Sequence, residues 1–309
     1  GAVQGVPSDS GHRPARRRRG RARRSWRPFT GTKEPDANPE SLSWHAGVRR
    51  MPLTQKAIAE GGRAMIYAAA QTADLMVDAG RRQDRATQDK HDDTLGFYTP
   101  ILKGFLTEMG LEAANLGMQV FGGHGYIHEH GMEQIARDAR IATLYEGTTG
   151  IQALDLLGRK VLLGTRGKCV RDFSRIMLRS AKTHWLAHGS IGRMARSTAK
   201  RAIEWNLLTL RIMRRVGKDR DLVGSASVDY LMYSGYVMMA HFWARQAAVA
   251  QAFLRNGKGA ESAEFYRAKI QTAEFYFDRL LPRADAHRKS ALAPTRSLMQ
   301  MGNGDFAFS

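Results

Sequence analysis

From Val48 to the C-terminus, apolar residues recur at steps of three and four, and no stretch of useful length alternates apolar with polar. That period is the period of an α-helix, and its persistence confines the chain to an all-α fold. Pro52 near a helix start, followed by Ile58, Met65, Ala69 and Met76, predicts a first helix ending near Gly80. Residues 81–93 are rich in both charge signs and read as a solvated connector. A second helix is expected after Pro100, with Leu102, Phe105, Leu106, Met109, Ala113, Leu116 and Val120 forming the cleanest apolar stripe in the chain. It ends at Gly122-Gly123-His124-Gly125. A short helix is expected from about Met132 to Ala142, and another from near Thr148 to Leu163, broken by Gly164 and Gly167. Three or four more helices should follow. Ile203, Leu207, Leu210 and Met213 mark one face, residues 228–254 form a buried helix, and Tyr266, Ile270, Ala273, Phe277 and Leu281 mark a helix stopped at Pro282. Residues 293–309 read as a loosely packed tail, and there is no internal repeat.

Composition narrows the class. With 309 residues, 43% hydrophobic and 25% charged, the chain is neither collagenous, of low complexity, nor wholly disordered. The net charge is +19, and residues 1–27 supply nine Arg against one Asp. That segment has too few aliphatic residues to offset chain entropy and is expected to be a disordered basic tail. Its Arg run offers phosphate contacts, but a tail without specific function is the favoured reading. Residues 28–47, with Pro28, Pro35, Pro39, Gly31 and Gly47, read as a linker. A single cysteine, Cys169, excludes an intrachain disulfide and a multi-thiolate metal site, and favours a reducing compartment. The most apolar stretch, Val228 to Leu254, contains Asp229, His241, Arg245 and Gln246, too polar for a lipid-facing span. No secretory signal is visible.

The window from Gln119 to Gln152 holds the residues that carry chemistry. Three glycines in four positions suit a helix C-cap and tight turn, or a surface where backbone N–H groups meet a phosphate. Glu146, between Tyr145 and Gly147, suits a general base if its surroundings are dry. It equally suits a solvated acid at the start of the next helix, for which Thr148 is the N-cap. Spacing alone leaves both pairs of readings open. His124, His128 and His130 lie close in sequence, yet a loop without metal is the expectation. Trp185, Trp205 and Trp243 are expected in the core.

The succession Gln119-Val120-Phe121-Gly122-Gly123-x-Gly125-Tyr126, Arg137-Asp138-x-Arg140 and Tyr145-Glu146-Gly147-Thr148 closely resembles the C-terminal helical domain of the acyl-CoA dehydrogenases. The resemblance runs from about Arg27 to the C-terminus. After Gly164 it is to the extra helical domain of a longer subgroup, including Ser297-Leu298-Met299 and Asp305-Phe306-Ala307-Phe308. It implies an up-down helical bundle over 48–164 followed by a second helical domain over 165–309.

The resemblance implies FAD-dependent α,β-dehydrogenation of an acyl-CoA thioester. Glu146 takes the place of the base that removes the α-proton, while the β-hydride passes to the flavin. The backbone N–H of Glu146 would help polarise the thioester oxygen. Tyr145 and Gly147 would lie at the substrate, Thr148 and Gly150 beside the flavin. Many relatives carry Gln where Gly150 stands. Gln119, Val120, Phe121, Gly122 and Gly123 match the stretch that reaches the adenosine diphosphate part of a neighbouring subunit's FAD. A homodimer or homotetramer follows, with electron-transfer flavoprotein or a similar acceptor as electron partner. Arg137, Asp138 and Arg140 would be an ion-pair cluster positioning the loop. The expected location is the bacterial cytoplasm, with the mitochondrial matrix as the alternative.

Family members also carry an N-terminal helical domain and a middle β-domain, which this sequence does not contain. Residues 1–26 match nothing in the family, so the sequence is expected to be a partial chain joined near Arg27. Two other readings compete: a catalytically inactive helical interaction module and, more distantly, a nucleic-acid binder using its basic tail.

Overall fold

In a computed structural model, the chain is described at residues 24–25, 33, 40–257 and 259–306. Most of the basic tail and linker expected over 1–47 lies outside the described residues. Where residues 24–25 and 40–41 are seen, Arg24–Ser25 (β1) and Glu40–Ser41 (β2) pair antiparallel, with Arg24 opposite Ser41. Every other regular element described is helical.

Helix α1 spans Ala46–Arg81 and α2 spans Arg85–Phe121. Only three residues separate them, so the solvated connector expected over 81–93 is mostly helix. The reason lies in Asp84, whose carboxylate accepts from the Thr87 N–H at 3.0 Å and starts α2. The first turns of α2 face solvent, so they need no apolar stripe. Pro100, expected at a helix start, sits buried inside α2.

A short α3, Met132–Ile141, leads into α4, Thr149–Leu154, which continues as a wider π-helical coil over Asp155–Gly164. Then come α5 (Lys168–Thr183), α6 (Gly189–Val216), α7 (Leu222–Asn256) and α8 (Ala263–Phe275), the last continuing as a π-helical turn over Tyr276–Leu280. Two short helices, α9 (Arg283–Ser290) and α10 (Arg296–Met299), and a 3-10 turn over Asn303–Phe306 close the described chain. The tail expected to pack loosely is pinned at its start, where the Thr295 hydroxyl donates to Asp219 at 2.6 Å. Leu298, Met299 and Phe306 beyond it are exposed.

The core is organised around α7. This helix is apolar on all sides because it has neighbours on all sides: α1, α2 and α4 from one half of the chain, α6, α8 and α9 from the other. Its buried Trp243 donates from Nε1 to the Ala57 carbonyl of α1 at 3.1 Å. Its Tyr236 carbonyl accepts from the Tyr276 hydroxyl at 2.7 Å. Close approach needs absent side chains: a Cβ on Gly235 would fall 2.1 Å from Phe105 Cγ, and one on Gly104 2.7 Å from a Leu231 methyl. Ion pairs also join the halves. Arg283 donates through both terminal nitrogens to Glu112 at 2.7 and 2.9 Å, and Lys269 reaches Glu60 at 2.9 Å.

Two readings of the apolar pattern are corrected. On α6 the core face is Met194, Ala202, Trp205, Leu208 and Ile212, while Ile203, Leu207 and Leu210 point outward, 53, 48 and 40% exposed. Both stripes have helical spacing, so periodicity could not choose between them. Trp205 and Trp243 are buried as expected, but Trp185 lies exposed in the turn between α5 and α6.

Candidate functional site

The C-terminus of α2 delivers the glycine cluster. Gly122 turns the chain with φ 62°, and its N–H donates back to the Gln119 carbonyl. A Cβ on Gly125 would meet the Met118 carbonyl oxygen at 2.3 Å, so that glycine serves the turn itself. Gly123 differs: it is exposed, and nothing lies within 4 Å of where its Cβ would stand. Of the remaining residues in this segment, Val120 and Phe121 are core, whereas the Gln119 side chain is exposed. His130 packs its ring near those of Phe121 and His124. Among the described residues no group of three or more His, Cys, Asp or Glu is placed to hold a metal.

Helix α3 then carries the chain to the Tyr145–Thr148 loop. Glu146 has φ 50° and Gly147 φ 96°, consecutive left-handed positions, the first on a residue that pays for it in strain. A Cβ on Gly147 would lie 2.3 Å from the Gln152 amide nitrogen. Thr148 caps α4 by accepting from the Ile151 N–H, and the Thr149 hydroxyl donates to Glu108 on α2 at 2.6 Å. Thr148, Thr149 and Gly150 are half-buried.

Beneath the loop lies Lys103 of α2, 5% exposed. Its ammonium donates to the Ala142 carbonyl and sits 4.9 Å from the centre of the Tyr145 ring. Burial pushes its pKa down, and the Glu146 charge pulls it back up. Lys103 and Glu108 are the residues that sequence reasoning missed. For Lys103 the available signal was its place between Leu102 and Phe105 in the apolar stripe of α2, where a buried ammonium must have a partner.

Two expectations about the loop are corrected. The ion-pair cluster of Arg137, Asp138 and Arg140 does not form among the described residues. Asp138 instead accepts from Gln134 at 2.7 Å, and Arg140 donates to the Thr143 hydroxyl at 2.9 Å, because a helix turns residues one and two apart onto different faces, which separates Asp138 from both arginines. The dry setting for Glu146 beside Tyr145 is also not built by this chain: both side chains are exposed. Tyr145 is drawn to Lys103 instead of covering the carboxylate. Tyr126, Ile141, Leu144 and Ile151 are exposed as well. A monomer surface rarely leaves so many large apolar side chains near one loop uncovered.

Two abutting helical regions, the first ending in a glycine turn and a strained acid, define the class. Residues 31–162 match the family described as acyl-CoA dehydrogenase, C-terminal domain, and residues 172–302 match that described as acetyl-CoA dehydrogenase C-terminal like. The chain belongs to the acyl-CoA dehydrogenase family. It is 35% identical over 260 residues to 3-methylmercaptopropionyl-CoA dehydrogenase of Ruegeria pomeroyi, covering 84% of this chain and 42% of that protein. It is 28% identical over 279 residues to the broad-specificity linear acyl-CoA dehydrogenase FadE5 of Mycobacterium tuberculosis, covering 86% and 44%. The chain thus spans less than half the length of these curated relatives. Its fold is similar to that of an acyl-CoA dehydrogenase complexed with FAD from Bacillus anthracis, with TM-score 0.69 and 14% identity, covering 98% of this chain and 49% of that one. It is also similar to Caenorhabditis elegans ACDH-11 in complex with C11-CoA, with TM-score 0.62 and 16% identity, covering 82% and 41%.

Proposed function

We propose that this chain supplies the proton-abstracting side of an acyl-CoA α,β-dehydrogenase. The observation that carries the reading is Glu146: an acid in the family motif, held left-handed and exposed at the tip of a loop, its charge facing the Lys103 ammonium beneath. FAD, when bound, supplies the acceptor for the β-hydride. The residues present fit one edge of such a group, since Gly123 leaves its backbone open to close approach and Gln119 adds an exposed amide. Gln119 to Gly123 would hold the nucleotide end, Val120 and Phe121 by anchoring the turn in the core. Thr148 and Gly150 would lie at the ring end.

In this reading the Glu146 carboxylate takes the α-proton. Its backbone N–H, fixed by the left-handed turn, faces the thioester oxygen and stabilises charge developing there. Tyr145 and Gly147 border the substrate, and Lys103 holds the loop from below. The exposed apolar residues around the loop support burial against further protein, as in a homodimer or homotetramer. Closure of that surface would shield Glu146 from water. The relative complexed with C11-CoA supports an acyl-CoA substrate, and the electrons would pass on to electron-transfer flavoprotein or a similar acceptor. The bacterial relatives support a cytoplasmic location. No helix among the described residues is long and apolar enough to cross a membrane.

The test is proton exchange. In flavin-loaded protein, Glu146→Gln should stop exchange of the acyl-CoA α-hydrogens with deuterated water while the flavin absorbance is retained. Exchange at the unaltered rate removes Glu146 from the role. The exposure of Glu146 favours one second reading, a helical module without activity of its own. That reading predicts no flavin absorbance in the purified chain with or without added FAD.

A further inference from the structure

The positive charge of the folded chain is concentrated in one place. Residues 166–220 hold fifteen Arg and Lys against three Asp and Glu, a net of +12. With +8 in residues 1–27, the rest of the chain is within one charge of neutrality. Twelve of these cations lie on the hairpin of α5 and α6, where Arg193 pairs with Asp278 and the buried Arg201 with Asp285 and Glu204, leaving most of the others to face outward. On α5, Arg171, Arg175, Leu178 and Lys182 recur at helical steps on the exposed side, opposite the buried Val170, Phe173 and Met177. On α6, Arg196, Lys200, Ile203, Leu207, Leu210 and Arg214 recur at steps of four and three on the exposed side, a line of roughly 27 Å. The turn between the helices presents Trp185 and Leu186, the latter 88% exposed. Arg179, Lys182, Arg211 and Arg214 have no carboxylate partner among the described residues.

We propose that this face of the α5–α6 hairpin docks reversibly on an anionic lipid bilayer, the aliphatic side chains and Trp185 entering the headgroup boundary while the cations meet lipid phosphates. The occupant must be anionic, because a second copy would set like charge against like. It must also use aliphatic surface. Nucleic acid offers phosphates but rewards aromatic stacking, and here three of the six stripe residues on α6 are aliphatic. A cationic helix face with Leu, Ile and Trp suits a lipid interface on both counts. The Ile203–Leu207–Leu210 stripe, which core packing does not use, then has a role.

Sedimentation of the full chain with vesicles tests this. It should pellet with phosphatidylglycerol–phosphatidylcholine vesicles at low salt and remain in solution with pure phosphatidylcholine vesicles. Substituting Ile203→Gln, Leu207→Gln and Leu210→Gln together keeps the charge and the basic N-terminal segment, and should weaken vesicle binding about tenfold. Lys200→Gln with Arg211→Gln and Arg214→Gln should weaken it by a similar factor. Leu207→Gln alone, expected to show a smaller loss in the same direction, serves if the triple variant loses its helical circular dichroism. Failure to bind anionic vesicles overturns the proposal, as does unchanged binding by the apolar variants. So does retention of a duplex oligonucleotide under conditions where vesicles are not bound.

Discussion

His241 lies in the core 2% exposed, its ring edge-on to Phe173 and Phe242, with Nδ1 unpartnered among the described residues. Burial, reinforced by the charge of Arg245, pushes its pKa down to about 4. The folded protein therefore binds this proton less readily than the unfolded chain. Stability is fully present above the ordinary histidine value of about 6.5 and falls as the pH drops toward 4, by roughly 3 kcal/mol in total. Thermal midpoints measured between pH 7 and 4 should fall less steeply in His241→Phe than in the parent, and equal slopes would exclude the assignment. Lys103 makes a different prediction. Lys103→Met removes both a buried charge and the grip on Ala142, so global stability should change little. Amide exchange at Tyr145, whose N–H donates to Ile141 at 3.2 Å, should quicken. At this scale the sequence was legible where a residue belongs to a continuous motif, as Glu146 does. That Lys103 and Glu108 serve the loop was not legible, because they reach it from about forty residues away and only tertiary structure brings them there.

Helix positions follow from the apolar period wherever that period is met by a core. Helix α3 was placed within a residue of its observed ends, and the buried helix around 228–254 extends only a few residues further at each side. The start of α2 was missed because its first turns bury little, although Asp84 was a cap signal available in the sequence. The outward stripe of α6 shows the opposite failure, an apolar period with no core to meet. The π-helical coils after α4 and α8 have no sequence signature, since an inserted residue leaves the apolar spacing almost intact. Packing between α2 and α7 supplies a sharp test. In Gly235→Ala the new methyl would collide with the Phe105 ring, which is fully buried and cannot step aside. The variant should lose about 1–3 kcal/mol in chemical denaturation, whereas Gly224→Ala on the same helix, with nothing within 4 Å, should lose none.

One family match ends at residue 162 and the other begins at residue 172. The hydrophobic core crosses that interval without a break, from Ala57 and Phe105 through Trp205 and Tyr233 to Leu281. Heating should accordingly give one calorimetric transition, with calorimetric and van't Hoff enthalpies in agreement. Two separated transitions would mean that the regions fold independently. The central place of α7 also bears on how the protein is made. Helices α1 and α2 leave the ribosome about a hundred residues ahead of the segment that covers them, a delay of roughly 5–20 s at ordinary rates of translation. During that interval the nascent chain displays Met65, Ile101 and Phe105 to the cytosol, and its yield should depend on chaperones that shield a half-made hairpin.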